Sequence, residues 1–315
     1  MHEPFAPAER FSEHARRLWD SDVVWSFRHS PIAIVAAFIA LVLVTAAVFA
    51  PWIAPHRPFD AATLNLMEGF SPPGEANPIT GRTFILGTDN QGRDVFSAIL
   101  YGSRISLLVG FASVLFSVAL GVTLGLVAGY LGGRVDALIM RVADIQLSFP
   151  AILIALLVFG IARGLIGPAH HEQAAIGVLI IAIGLSHWAQ YARTVRGSTL
   201  VERNREYVQA ALVMGRSAFS IMGEHVLPNV VGPVLVIATI NLAVAIIEEA
   251  TLSFLGVGVP PTQPSLGTLI RVGQQFLFSG EWWILLFPSL ALILLALSIN
   301  LLGDWLRDAL DPRLR

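Results

Sequence analysis

Six strongly apolar stretches, at roughly 32–53, 104–130, 147–166, 174–191, 230–255 and 283–303, alternate with polar segments along the 315-residue chain. Each comes close to the ~20 residues that a helix needs to cross the hydrocarbon core of a bilayer. The pattern predicts an all-α integral membrane protein with six transmembrane helices. Pro55, Pro58, Pro72, Pro73, Gly74 and Pro78 punctuate the segment 54–103 and predict loop over most of it. Its end differs, since Asp94 to Leu100 predicts a short helix lying at the membrane surface. Only Arg163 to Glu172 separates the third stretch from the fourth, and Pro260, Pro261 and Pro264 break the chain after the fifth.

Charge then orients the spans. The first thirty residues are polar (Glu9, Arg10, Glu13, Arg16, Arg17, Asp20), unlike a signal peptide, so Pro31–Ile53 reads as a retained first span. With the N-terminus inside, fourteen of the twenty Arg fall on that side, among them Arg134, Arg141, Arg193, Arg196, Arg203 and Arg205. Arg57, Arg82, Arg93, Arg104, Arg163 and Arg271 fall outside. An excess of basic residues marks the cytoplasmic side, so both termini are expected there. The expected organisation is a cytoplasmic segment 1–31, a first span 32–53, an exterior loop 54–103, a five-helix core 104–303 with a cytoplasmic loop 192–228, and a cytoplasmic tail 304–315.

Composition agrees: 55% of residues are hydrophobic and 13% charged, and mean hydropathy is +0.70. The net charge of −2 gives no basic excess for nucleic acid, and cysteine is absent. All basic residues are Arg, so the Lys of a Walker A loop is missing and this chain offers no standard ATP site. No H-E-x-x-H or G-x-S-x-G pattern points to an intramembrane enzyme.

Several features invite chemistry. Gly121, Gly125 and Gly129 form a small-residue stripe, suited to close helix packing within the chain or against a second subunit. Glu248 and Glu249 stand in an otherwise apolar span, where an ionisable group needs a protein or water partner. A structural hydrogen bond or a place on a translocation path are the two readings. Asp89 to Asp94 resembles a calcium loop but has Leu100 where the closing Glu belongs, so a capped turn is expected. His170, His171 and Glu172 read as a solvated turn rather than a metal site. His187 and Trp188 read as an interface anchor.

The segment Arg205–Asn229 carries the most organised signal. Gln209-Ala210-Ala211, then Gly215, then His225-Val226-Leu227-Pro228 follow a fixed order between two spans. Ala211 and Gly215, four apart, predict a shared helix face with a shallow notch, and Pro228 suits the first turn of the fifth span. Arg203 reads as an exposed surface residue. By spacing alone the segment is either a surface helix or a docking element.

This order resembles the E-A-A…G…L-P loop of permease subunits in binding-protein-dependent ABC importers, specifically the second permease of the dipeptide/oligopeptide/nickel group. Gly87-Thr88-Asp89, Gly92-Arg93-Asp94, Gly102, Arg104 and Ser106 are similar to that group's segment before the core. So are Tyr191-Ala192-Arg193, Glu249-Ala250, Leu252-Ser253-Phe254-Leu255-Gly256 and the tail from Asn300 to Arg313. Gln209 replaces the family's Glu, and Glu248 stands where a small residue is usual. The resemblance implies a type I ABC permease fold in a bacterial cytoplasmic (inner) membrane and alternating access as mechanism. It implies coupling to ATPase subunits through 206–228, with Glu206, Gln209, Ala210, Ala211, Gly215, His225, Leu227 and Pro228 at the contact. Implied partners are a homologous permease, two cytoplasmic ATPase subunits holding ATP and Mg, a periplasmic or lipid-anchored substrate-binding protein, and membrane lipids. No cofactor or catalytic residue is implied for this chain. Di- or oligopeptides are the implied cargo class. A stand-alone ion- or proton-coupled carrier, using Glu248 or Glu249, is the alternative; it predicts an inverted internal repeat, of which the sequence gives no sign.

Overall fold

The computed structural model describes residues 22–167, 170–260 and 262–310. Expectations for 1–21, Pro261 and the tail residues 311–315 lie outside the described residues. A short helix α1 (Asp22–His29) leads to α2 (Pro31–Val48), which continues after a break at Phe49 as α3 (Ala50–Ile53). Ser30 opens α2 by accepting the N–H of Ala33 (3.3 Å), and Pro31 stands at the first position, where a missing donor costs nothing.

The next helix, α4 (Val95–Leu131), runs unbroken for 37 residues, about 55 Å at the α-helical rise. Asp94 caps it, accepting from the N–H of Ser97 (2.9 Å). The surface helix expected at Asp94–Leu100 is therefore the first turns of this span. No proline interrupts the run, and Gly102 within it lies where a Cβ would meet Leu269 Cδ1 at 3.1 Å and Leu266 N at 3.3 Å. The loop before α4 is ordered: Asn77 Nδ2 donates to Ser71 Oγ (2.8 Å), and Trp283 Nε1 donates to Thr88 O (3.0 Å).

The third stretch departs most from expectation. An amphipathic α5 (Gly133–Leu147) meets α6 (Ala151–Leu165) at an angle of 101°. Pro150 lacks an N–H to continue α5, and Pro also restricts the backbone before it. The next helix, α7 (His171–Glu202), continues well past the expected end at 191. Its polar end is supported by α5: Arg196 Nη2 lies 2.7 Å from Asp136 Oδ2, and Arg193 pairs with Asp144.

After α8 (Glu206–Val213), the chain forms α9 (Ala218–Ile221), a π turn (Met222–Val226) and α10 (Leu227–Phe254). Residues 218–254 form one candidate span, and Pro228 stands in the first turn of α10, as expected. The π turn accommodates it: Leu227 N–H reaches Met222 O, and Pro228 has no donor to place. A short α11 (Leu266–Phe276) and a long α12 (Trp283–Leu310) complete the chain. Among the described residues, five helices are long and apolar enough to cross a membrane, or six with the bent α5–α6 pair.

The tightest packing joins α4 to α7. A Cβ on Gly121 would lie 2.5 Å from Tyr191 Cβ, one on Gly125 2.5 Å from Ala192 O, and one on Gly129 2.7 Å from Thr199 Cβ. The glycine stripe is therefore filled from within the chain, by the backbone of α7 itself.

Candidate coupling segment and intramembrane polar groups

Between α7 and α10, the segment 203–226 is held by its own side chains. Val208 and Ala211 of α8 are fully buried against Tyr191 and Val195 of α7, Ile221 of α9, and Val226 and Val230. The notch expected from Ala211 and Gly215 is therefore absent. Ala211 faces inward, and Gly215 lies beyond the helix end at φ 76°. Gly215 N–H bonds Leu212 O (3.0 Å) and Arg216 N–H bonds Ala211 O (3.1 Å), the paired closure that a left-handed residue permits. A Cβ there would meet no atom within 4 Å, so conformation rather than space requires glycine.

The segment's polar groups hold it in place. Tyr207 Oη donates to Glu202 Oε2 (2.5 Å) and accepts from Asn229 Nδ2 (3.1 Å), joining the end of α7 to the start of α10. Desolvation, and then the Glu202 carboxylate, hold the Tyr207 phenol above its ordinary pKa, keeping it a donor. Its ring stacks on His225. Gln209 Nε2 donates to Arg203 O (3.1 Å), while Glu206, Ala210 and Pro228 are exposed and Leu227 is half-buried. Arg203 is not a free surface residue: its Nη1 donates to Gly129 O (2.9 Å), satisfying a carbonyl at the end of α4.

What the segment shows outward is apolar. Val213, Met214 and Phe219 are 89%, 73% and 82% exposed, three uncovered hydrophobic side chains flanking the turn at Gly215. The sequence reading missed this tip. Its signal was present as Leu-Val-Met directly before the terminating glycine.

Two carboxylates at membrane depth behave differently. Glu249 is fully buried, accepting from Ser106 Oγ of α4 (2.6 Å) and from Ser253 Oγ (2.7 Å). Each serine in turn accepts a backbone N–H, Leu266 on Ser106 (3.3 Å) and Val259 on Ser253 (3.2 Å). The carboxylate thus ties α4 and α10 to the irregular segment before α11. Glu248 Oε2 lies 2.9 Å from His187 Nε2, with each side chain 12% exposed, so one edge of the pair reaches the surface. Asn241 Nδ2 donates to Gln190 Oε1 (3.1 Å), two turns along the same α7–α10 seam. The interface anchor expected at His187 and Trp188 is corrected accordingly: His187 serves Glu248, and Trp188 is buried, with Nε1 bonded to Gln146 Oε1.

Elsewhere, Asp89 caps a turn. Its Oδ1 accepts from the N–H groups of Gln91 (2.8 Å) and Arg93 (2.9 Å), and burial pushes its carboxyl above the ordinary pKa despite Arg93. His171 Nε2 lies 2.7 Å from Ile166 O, engaged with the end of α6. No group of three or more metal-ligating side chains occurs among the described residues.

An all-helical, multi-spanning chain with a self-braced polar elbow between two spans has the build of a transport subunit. Residues 121–315 match the family model for the inner membrane component of binding-protein-dependent transport systems, and 17–73 match the N-terminal transmembrane domain of oligopeptide transport permease C. The chain belongs to this family of ABC importer permease subunits, in which ATP hydrolysis resides in separate subunits. It is 38% identical to the di/tripeptide transport system permease protein DppC of Pseudomonas aeruginosa, over 92% of this chain and 91% of that one. It is 36% identical to the dipeptide permease DppC of Haemophilus influenzae (92% and 93% covered). With the oligopeptide permease OppC of Bacillus subtilis it shares 35% (100% and 97% covered). Membership implies a paired permease, an ATPase and a substrate-binding partner.

Proposed function

We propose that this chain forms half of the translocation path of a peptide importer. Its partners in this reading are a homologous permease, two cytoplasmic ATPase subunits that bind ATP and Mg, and a periplasmic or lipid-anchored binding protein. The names of the relatives, which specify di/tripeptides, dipeptides and oligopeptides, support the cargo class. The fold is the six-span type I permease, with the bent α5–α6 pair as one span. Both termini and the 203–226 segment lie on the cytoplasmic side of a bacterial inner membrane.

The observation that carries coupling is the exposed tip of Val213, Met214 and Phe219. Exposed apolar side chains on a polar elbow are the usual mark of a docking surface. The buried side of α8 locks it to α7 and α10, so an ATPase subunit gripping the tip would move both spans together. Those spans carry the His187–Glu248 and Asn241–Gln190 seam. An imidazole–carboxylate pair open at one edge is costly against lipid, which supports a place on the water-filled path. There Glu248 would meet the ammonium group of a peptide, while Glu249 is structural. Gln209, bonded to Arg203 O, acts by bracing the elbow.

The test replaces Val213 and Phe219 together by Asp in the reconstituted complex. Membrane abundance should hold, because neither side chain packs inside the chain. Stimulation of ATPase activity by loaded binding protein should fall at least roughly tenfold, as expected when central interface anchors worth ~2 kcal/mol or more are lost. Full stimulation at normal abundance would refute the docking role.

A further inference from the structure

A groove of about 500 Å³ opens beside the start of α4, lined among others by Arg57, Phe59, Tyr101, Arg104, Leu108 and Pro264. Neither guanidinium group has a hydrogen-bond or ion-pair partner among the described residues. The one acid in the lining, Asp60, is engaged at Oδ1 by the N–H of Ala62 (3.1 Å). Among the described residues the groove therefore sets two guanidinium groups against one carboxylate, an excess of positive charge.

Both arginines stand where an apolar run meets polar sequence. Arg57 lies just beyond Ile53, where α3 ends, and Arg104 is the last charged residue before Arg134. One face of α4 continues downward from Arg104 through Leu108, Phe111 and Leu115, at helical spacing, and all three are exposed. Beside the arginines, the rings of Phe59 and Tyr101 meet edge to face (centroids 6.2 Å apart), forming an aromatic wall of the kind that favours a membrane–water interface.

We propose that this groove binds one anionic phospholipid, its phosphate held between Arg57 and Arg104 and an acyl chain lying along Leu108, Phe111 and Leu115. The guanidinium fork matches phosphate oxygens two at a time, and the exposed leucine and phenylalanine ridge needs an apolar cover. Charge complementarity selects the headgroup, and continuity of the ridge with the cationic mouth selects a lipid over a soluble anion. The assignment does not depend on the cargo of the importer.

The assembled complex in nanodiscs of phosphatidylethanolamine with a minor share of phosphatidylglycerol provides the test, with co-purifying lipid counted by native mass spectrometry. The unaltered complex should retain phosphatidylglycerol above its share of the bilayer. Arg57→Gln with Arg104→Gln should lower that retention by roughly fivefold for each guanidinium removed, the scale of one basic side chain at an anionic surface. Arg82→Gln removes an exposed cation of the same loop, paired at 3.4 Å with Glu68, and should change nothing. Should the double variant fail to assemble, Arg57→Gln alone, on a loop, reads the same loss. Equal retention of the two lipids, or unchanged retention in the variants, overturns the proposal. Weaker docking of the binding protein with unchanged lipid retention assigns the groove to a protein contact and overturns it as well.

Discussion

At Glu249, two carboxylate oxygens, two serine hydroxyls and two backbone N–H groups close a network with no member left over. That completeness is what makes a carboxylate affordable at membrane depth. Glu249→Ala would strand Ser106 and Ser253, at about 1–3 kcal/mol for each buried group left unpaired. Membrane abundance and thermal stability of the complex should both fall. Glu249→Gln should do so more mildly, since one hydroxyl need only turn, and the substrate profile should persist in both. A changed substrate profile at normal stability would instead move Glu249 onto the path. Sequence alone marked Glu249 as a residue that needed a partner. It could not supply Ser106, 143 positions away, because hydrophobic periodicity says nothing about which polar side chains meet across helices. Glu248 and His187, 61 positions apart, were separated for the same reason.

Among the helices, α4 and α7 set the tightest constraint. Gly121→Ala would drive a methyl group against Trp188 O and Tyr191 Cβ, both near 2.5 Å, and overpacking of this kind costs roughly 1–3 kcal/mol. Gly160→Ala in α6 meets nothing within 4 Å and should be tolerated, so abundance of the two variants in the membrane separates packing from helix propensity. Gly215→Ala should weaken the elbow by about 1–2 kcal/mol through its left-handed backbone, without any steric clash. Hydrogen exchange across 206–216 would report the loosening. The elements themselves were legible as apolar runs, but their ends were not. Capping by Asp94 and ion pairing by α5 lengthen α4 and α7 beyond the apolar stretch, and neither effect enters a hydropathy count. The small-residue spacing of Ala211 and Gly215 was real, yet it served a buried face and a turn, because the helix stops between them.

For the molecule as a whole, the distribution of arginine supports the proposed orientation and invites a direct test. Because the chain contains no cysteine, single cysteines give an unambiguous readout. Cysteine in place of Glu75 should react with an impermeant thiol reagent in intact cells, and cysteine in place of Val213 only after disruption. The reverse pattern would invert the molecule and with it the assignment of the coupling segment. The class of protein was legible because order of motifs survives even where a local geometry, such as the Ala211–Gly215 notch, was misjudged. The bent third stretch was less so, since fifteen apolar residues before a short break read as an ordinary span.

That third stretch has a consequence for the cell. At 15 residues, α6 is about 22 Å long, against a hydrocarbon core of about 30 Å. Wherever it faces lipid, the bilayer must pinch inward to meet its ends, and an unassembled copy carries that dimple with it. Assembly replaces deformable lipid with protein and lets the membrane relax to full thickness. We expect an orphan copy to be degraded faster by membrane proteases for that reason. Pulse-chase measurement should find a much shorter half-life when the companion permease gene is silent, and equal half-lives would show that the pinch goes unnoticed.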